Sequence, residues 1–243
     1  MNVSHKKFVI ASVIIMGLLL WLGLSLPLAA VLTFALVIIG YTAIGYFGDK
    51  KRLKWLVEKC DPQEFLRQTR EQRSSLGKNP RIAAYISLNE AVGLMALGEF
   101  GRAKKVLLGI DKTKLNLKGR FLIIYTMNYI LCLYELGNIQ EAEGVFETQI
   151  PYLTPITKDT IFGMKLLVAE RFFFLERYEE SKSCYEDILK QKSNHYNYLN
   201  ILYRLAQIED KIGDPIAAKV KYTIVATEGN KLWISSQAKK LIL

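Results

Sequence analysis

Residues with the chemistry for catalysis or metal binding are few and scattered. The 243-residue chain holds two histidines and three cysteines. His195 lies between Asn194 and Tyr196 with no second histidine at a ligand spacing, so it reads as a surface or structural residue at a helix start. Cys60, Cys132 and Cys184 follow no paired pattern. That excludes a disulfide framework and a typical structural zinc site, and it fits a reducing compartment. Gly93, Gly98 and Gly101 sit close together, but no Gly-Lys-Ser/Thr follows and no strand-like stretch precedes them, so they form no phosphate loop. Glu179, Glu180, Glu186 and Asp187 read as the solvated face of a helix. No nucleophile, base and orienting group can be assembled from these positions. No catalytic, cofactor-binding or metal-binding residue is expected, and the chain is read as a non-enzyme.

Without catalytic groups, attention turns to the elements and what their surfaces could hold. Apolar residues make up 51% of the chain and charged residues 23%, which excludes wholesale disorder. The charge is unevenly placed: between Lys7 and Asp49 lie 41 consecutive uncharged residues. A membrane-spanning helix needs about 20 apolar residues, and Pro27 offers a break in the middle. The expectation is a two-span transmembrane hairpin in residues 1–48, with spans at about 8–24 and 28–47. Lys6 and Lys7 before it, with Lys50, Lys51, Arg52 and Lys54 after it, place both termini and the remaining chain on the cytoplasmic side of an integral membrane protein. Residues 49–81 hold ten Lys/Arg against five Asp/Glu, within a formal charge of +10. Lys50, Lys51, Arg52 and Lys54 are therefore expected to face anionic lipid headgroups. No recognised nucleic-acid motif accompanies the basic residues, and nucleic acid is only the rival use of that charge.

Beyond residue 80 the sequence repeats. Gly98, Gly137, Glu176 and Gly213 occupy equivalent turn positions at spacings of 39, 39 and 37 residues. Five positions after each comes a small residue (Ala103, Ala142, Ser181, Ala218), and four later a large one (Leu107, Phe146, Tyr185, Tyr222). Upstream, Ala91, Ala169 and Ala206 fall on the facing side of the preceding helix, with Ile130 in the second copy. A glycine ends the first helix in a left-handed conformation, the small residues allow close approach, and the large one fills the gap. Asp61-Pro62-Gln63-Glu64 reads as a helix start with a capping box. Asn79-Pro80 and Asp214-Pro215 read as further helix starts.

This pattern resembles the tetratricopeptide repeat over about residues 80–228, with a period longer than the usual 34 or so. The whole is expected to be all-α: the hairpin, a basic juxtamembrane helical segment at 49–79, and a repeat domain at 80–243. The repeat domain is read as a solenoid of about four helix pairs with a C-terminal capping helix. The resemblance implies a concave groove, lined by the first helix of each pair, that binds a protein or peptide. Carried over, it selects Asn89 and Val92, then Met127, Asn128, Leu131 and Tyr134, then Leu167, Glu170 and Phe173, and finally Tyr203 and Arg204. Asn89 and Asn128 recur at one equivalent position, where an amide can bond a ligand backbone in both directions. Function is thus expected to be that of a membrane-anchored scaffold or adaptor, with self-association as the structural alternative.

Overall fold

The structure, a computed structural model, describes residues 5–115, 119–153 and 158–242, with the side chains of residues 5–8, 41–47 and 158–159 outside the description. Among the described residues every regular element is helical. In chain order these are α1 (His5–Trp21), α2 (Leu26–Val57), α3 (Pro62–Leu76), α4 (Pro80–Ala96), α5 (Phe100–Leu108) and α6 (Arg120–Glu135). They continue with α7 (Ile139–Gln149), α8 (Lys158–Phe174), α9 (Tyr178–Leu189), α10 (His195–Ile212), α11 (Pro215–Glu228) and α12 (Trp233–Leu241). The chain divides into two compact units, Met1–Leu53 and Lys54–Leu243.

In the first unit, Gly23 at φ +82° ends α1, and the Leu24 N–H returns to the Leu19 carbonyl at 3.2 Å. Pro27 does not form the break; it sits in the first turn of α2, where a missing backbone donor costs nothing. The expected pair of membrane spans is overturned. Among the described residues, no helix is long and apolar enough to cross a membrane. Helix α1 has 17 residues and opens on His5, Lys6 and Lys7, and at ~1.5 Å per residue it is shorter than a hydrocarbon core of ~30 Å. The apolar part of α2 with described side chains ends at Gly40, and its last turns carry Asp49, Lys50, Lys51, Arg52 and Lys54. The cytoplasmic placement rested on the charge bias of that hairpin and falls with it.

The second unit is an array of antiparallel helix pairs: α4 with α5, α6 with α7, α8 with α9, and α10 with α11. Small residues set their approach. Ala91, Ile130, Ala169 and Ala206 on the first helices are 0% exposed, as are Ala103, Ala142, Ser181 and Ala218 on the second. In the third pair the Ser181 hydroxyl donates to the Ala169 carbonyl at 2.8 Å, tying the two helices together. Leu107, Tyr185 and Tyr222 are buried beyond each small residue. Phe146 is half-buried beneath the Arg171 guanidinium, 4.4 Å from its ring centre.

Helix starts follow their caps. Asp61 accepts from the Glu64 N–H at 3.0 Å, Asn79 from Arg81 and Ile82, and Asp214 from Ala217. The capping box at Asp61 is only half formed, because the Glu64 carboxylate turns to Arg67 and Gln68 rather than back to the cap. Helix α12 does more than cover the last pair. Trp233 packs edge-on to Tyr203 of α10 and to Phe100 of α5, with ring centres 5.5 and 5.4 Å apart. Beside it, Asn230 donates to the Lys59 carbonyl at 2.8 Å and Lys231 pairs with Asp61 at 2.7 Å. The two ends of this unit are thereby joined.

All four repeat turns are left-handed: Gly98 at φ +76°, Gly137 at +74°, Glu176 at +59° and Gly213 at +88°. In the third, the Arg177 N–H still reaches the Phe172 carbonyl at 2.9 Å, the same closure that Glu99 and Asn138 make. Glu176 carries the steric cost that glycine avoids. Glu176→Gly should raise stability by about 0.5–1 kcal/mol, whereas Glu186→Gly within α9 should lower it by about 1 kcal/mol. Urea unfolding midpoints of the two variants and the parent check both signs.

Candidate functional site

The first helices α4, α6, α8 and α10 bring the expected groove residues to one face, but with very different accessibility. Met127, Tyr134, Leu167 and Tyr203 are between 0% and 8% exposed. They are core residues, and a ligand on this face would not touch them. Asn89, Val92, Asn128, Leu131, Glu170 and Phe173 are half-buried. Tyr134 is fixed from the other direction: it stacks on Phe174 at 5.1 Å, and its hydroxyl donates to Glu143, which Arg171 also holds at 2.6 Å.

Arg204 is the centre of the face. Its side chain is 8% exposed, and its Nη2 reaches Glu135 of α6 at 2.5 Å and Glu170 of α8 at 2.8 Å. Its Nη1 donates to Gln207 at 2.8 Å, and the guanidinium lies 4.5 Å from the Phe173 ring centre and 5.1 Å from that of Phe174. One side chain of α10 thus ties the first helices of three successive pairs. Burial opposes its charge, but Glu170 and Glu135 outweigh that and hold its pKa well above the ordinary value. The Glu135 carboxyl is pushed up by desolvation, which Arg204 only partly offsets, with Glu170 adding to the rise. The third and fourth copies therefore present a filled interior, closed by an ion triad.

The first and second copies differ. Asn89 and Asn128 stand where the fourth copy has Arg204, nine residues before the turn glycine. Each has a buried Nδ2 without a hydrogen-bond acceptor. An amide donor left in this state is costly, and its recurrence at one register position is the site's distinguishing feature. The resemblance to the tetratricopeptide repeat had selected both residues from the sequence. Sequence reasoning missed the triad's two carboxylate partners as a unit, although Glu135 and Glu170 stand out as acids on otherwise apolar helix faces.

Other candidates take ordinary roles. Burial pushes the Cys60 thiol up to about 11, with Glu228 adding to it, and the Cys132 thiol up to about 12. Both stay protonated at neutral pH and are poor nucleophiles. His195 faces Glu228 at 3.6 Å. Glu180 pairs with Arg177 and Asp187 with Lys190 on exposed surface. Among the described residues, no group of three or more His, Cys, Asp or Glu is arranged to hold a metal ion. Lys50, Lys51 and Lys54 are exposed, but Arg52 is not available to a headgroup: it is 3% exposed and pairs with Asp49 one turn earlier at 3.1 Å. A cleft of about 430 Å³ lies where the ends of the second unit meet, against Gln63, Gly98, Asn230, Trp233 and Lys239. None of the expected groove residues lines it.

No family model, curated protein or solved structure matches the chain. What can be said of function rests on the residues themselves.

The triad makes a pH-dependent prediction. Arg204→Met leaves two buried carboxylates without their cation and should cost about 3–5 kcal/mol at neutral pH. Without Arg204, the folded-state pKa of Glu135, already raised, climbs further. A raised carboxyl pKa means the folded state binds protons that the unfolded state releases, so stability falls as pH rises from the unfolded value toward the folded one. The deficit of the variant against the parent should accordingly be smaller at pH 5 than at pH 7.5. Urea unfolding at the two pH values measures it.

Proposed function

We propose that the second unit is a helical-repeat scaffold of the tetratricopeptide type that binds a protein or peptide partner on the first helices of copies one and two. In this reading the Asn89 and Asn128 side chains turn their buried amides outward to donate to backbone carbonyls of the bound segment, and Val92 and Leu131 supply apolar contact beside them. No catalytic step is assigned to the chain.

The observation that carries the reading is the pair of buried amide donors without acceptors, at equivalent positions 39 residues apart. A buried donor left unmade costs about 1–3 kcal/mol, and a partner's carbonyl would recover that on binding. Repetition of the donor along the array suits an extended segment, whose carbonyls also recur at regular intervals. Copies three and four fall outside the site, because Leu167 and Arg204 occupy the same register and are already engaged within the fold.

The near-isosteric variant Asn89→Leu/Asn128→Leu separates binding from folding. Replacing unsatisfied donors by apolar groups of similar shape is close to neutral for stability. The double variant should therefore unfold within about 1 kcal/mol of the parent, yet lose the partner that the full-length parent retains in a cross-linked pull-down. A partner held equally by both proteins would remove the first-helix face as the binding surface.

A further inference from the structure

The first unit carries an apolar surface that its own two helices cannot cover. On α1 the inward stripe is Ser12, Ile15, Met16 and Leu19, all half-buried, and on α2 it includes Ala29 at 0% and Thr33 at 7% exposure. These least exposed positions mark the inward side of the hairpin, its seam. Away from the seam, sixteen large apolar side chains between Val9 and Ile39 stay exposed, from 37% for Leu32 to 82% for Trp21. Together they present on the order of 1,500 Å² of apolar surface, against a few hundred Å² for the largest patch of an ordinary monomer. That area runs around both helices, so the part on any one side is roughly the ~800 Å² per partner of a standard-size interface.

Three features indicate which occupant fits. The surface has no charge from Phe8 to Gly48, so two identical copies can face one another without like-charge repulsion. On α1, Ile10, Ile14, Gly17 and Trp21 follow a 4-3-4 spacing on the side away from the seam, all of them exposed. Gly17 has nothing within 4 Å of an added Cβ, so its small size serves no contact inside the chain. A glycine at the centre of such a stripe permits close approach of a second helix. Two helices that are apolar on both sides bury one side in the hairpin and need another pair for the other.

We propose that the α1–α2 hairpin docks against the same hairpin of a second copy, giving a four-helix homodimer through the Ile10–Ile14–Gly17–Trp21 face. This contact lies outside the peptide-binding site proposed above and stands or falls separately from it. Sedimentation equilibrium of the full-length protein should give twice the chain mass of 27.7 kDa. Ile14→Glu, which buries a charge at the centre of the face, should weaken the dimer by at least about a hundredfold. Ile14→Leu should leave it intact. Gly17→Leu meets no neighbour within its own chain and should leave helicity by circular dichroism unchanged while weakening the dimer about tenfold. This variant keeps the test valid if Ile14→Glu disturbs the hairpin itself. A monomeric parent, including one that floats with phosphatidylcholine vesicles as a monomer, would overturn the proposal. So would a dimer that neither Ile14→Glu nor Gly17→Leu weakens.

Discussion

The second unit depends on one kind of contact made four times: a first helix and a second helix meeting at fully buried residues, small on both sides in three of the four pairs. Ala91 with Ala103, Ile130 with Ala142, Ala169 with Ser181, and Ala206 with Ala218 stand at these crossings, and none has any exposed surface. A larger residue at such a crossing would spread the pair and open voids, which a close-packed interior does not absorb. The left-handed turn one or two residues after each first helix sets the register that brings the buried residues opposite one another. Copy three keeps the same turn with Glu176 rather than glycine, which shows that the geometry of the crossing outranks local backbone preference.

Longer-range order comes from two different devices. Arg204 joins α10 to α8 and α6 by hydrogen bonds and by stacking over Phe173 and Phe174, so copies two to four are held at one side-chain centre. Trp233 and the residues before it join the fourth copy to the first. The first device is electrostatic and desolvated, and the second is aromatic packing at the edge. Their combined effect is to leave copies one and two as the part of the first-helix face with unmet hydrogen-bonding capacity.

Much of this was legible in residue spacing because helix pairing is a local property. The turn positions, the small residues and their large successors are all separated by fewer than ten residues, and all four copies carry them. Legibility failed where contacts span the chain. Glu135 and Arg204 are 69 residues apart, and nothing in either local sequence announces the other. The groove residues suffered for the same reason: Tyr134 and Leu167 share the helical spacing of Leu131 and Phe173, but burial depends on which neighbour packs against each. At the N-terminal end the uncharged run was divided into two spans at Pro27, but the turn falls at Gly23, and among the described residues neither resulting helix is long and apolar enough to cross a membrane.

The same physical rule, that polar groups and apolar surface do not stay uncompensated, yields different consequences in the two units. In the second unit the compensation is nearly complete. The exceptions are single atoms, among them the Thr126 and Tyr185 hydroxyls and, at equivalent positions, an amide nitrogen at Asn89 and another at Asn128. Single atoms select for a partner's backbone, whose carbonyls can be placed one at a time. In the first unit the larger deficit is exposed apolar area, beside one buried hydroxyl at Thr33. Area has no direction and favours any complementary apolar surface of similar size, and the nearest such surface in composition is the same hairpin of another copy. Directional deficits therefore go with specificity for a segment, and non-directional ones with self-association. Two copies joined through their hairpins would each carry an asparagine-bearing face, so a partner with two suitable segments would bind by effective concentration more tightly than either face alone allows.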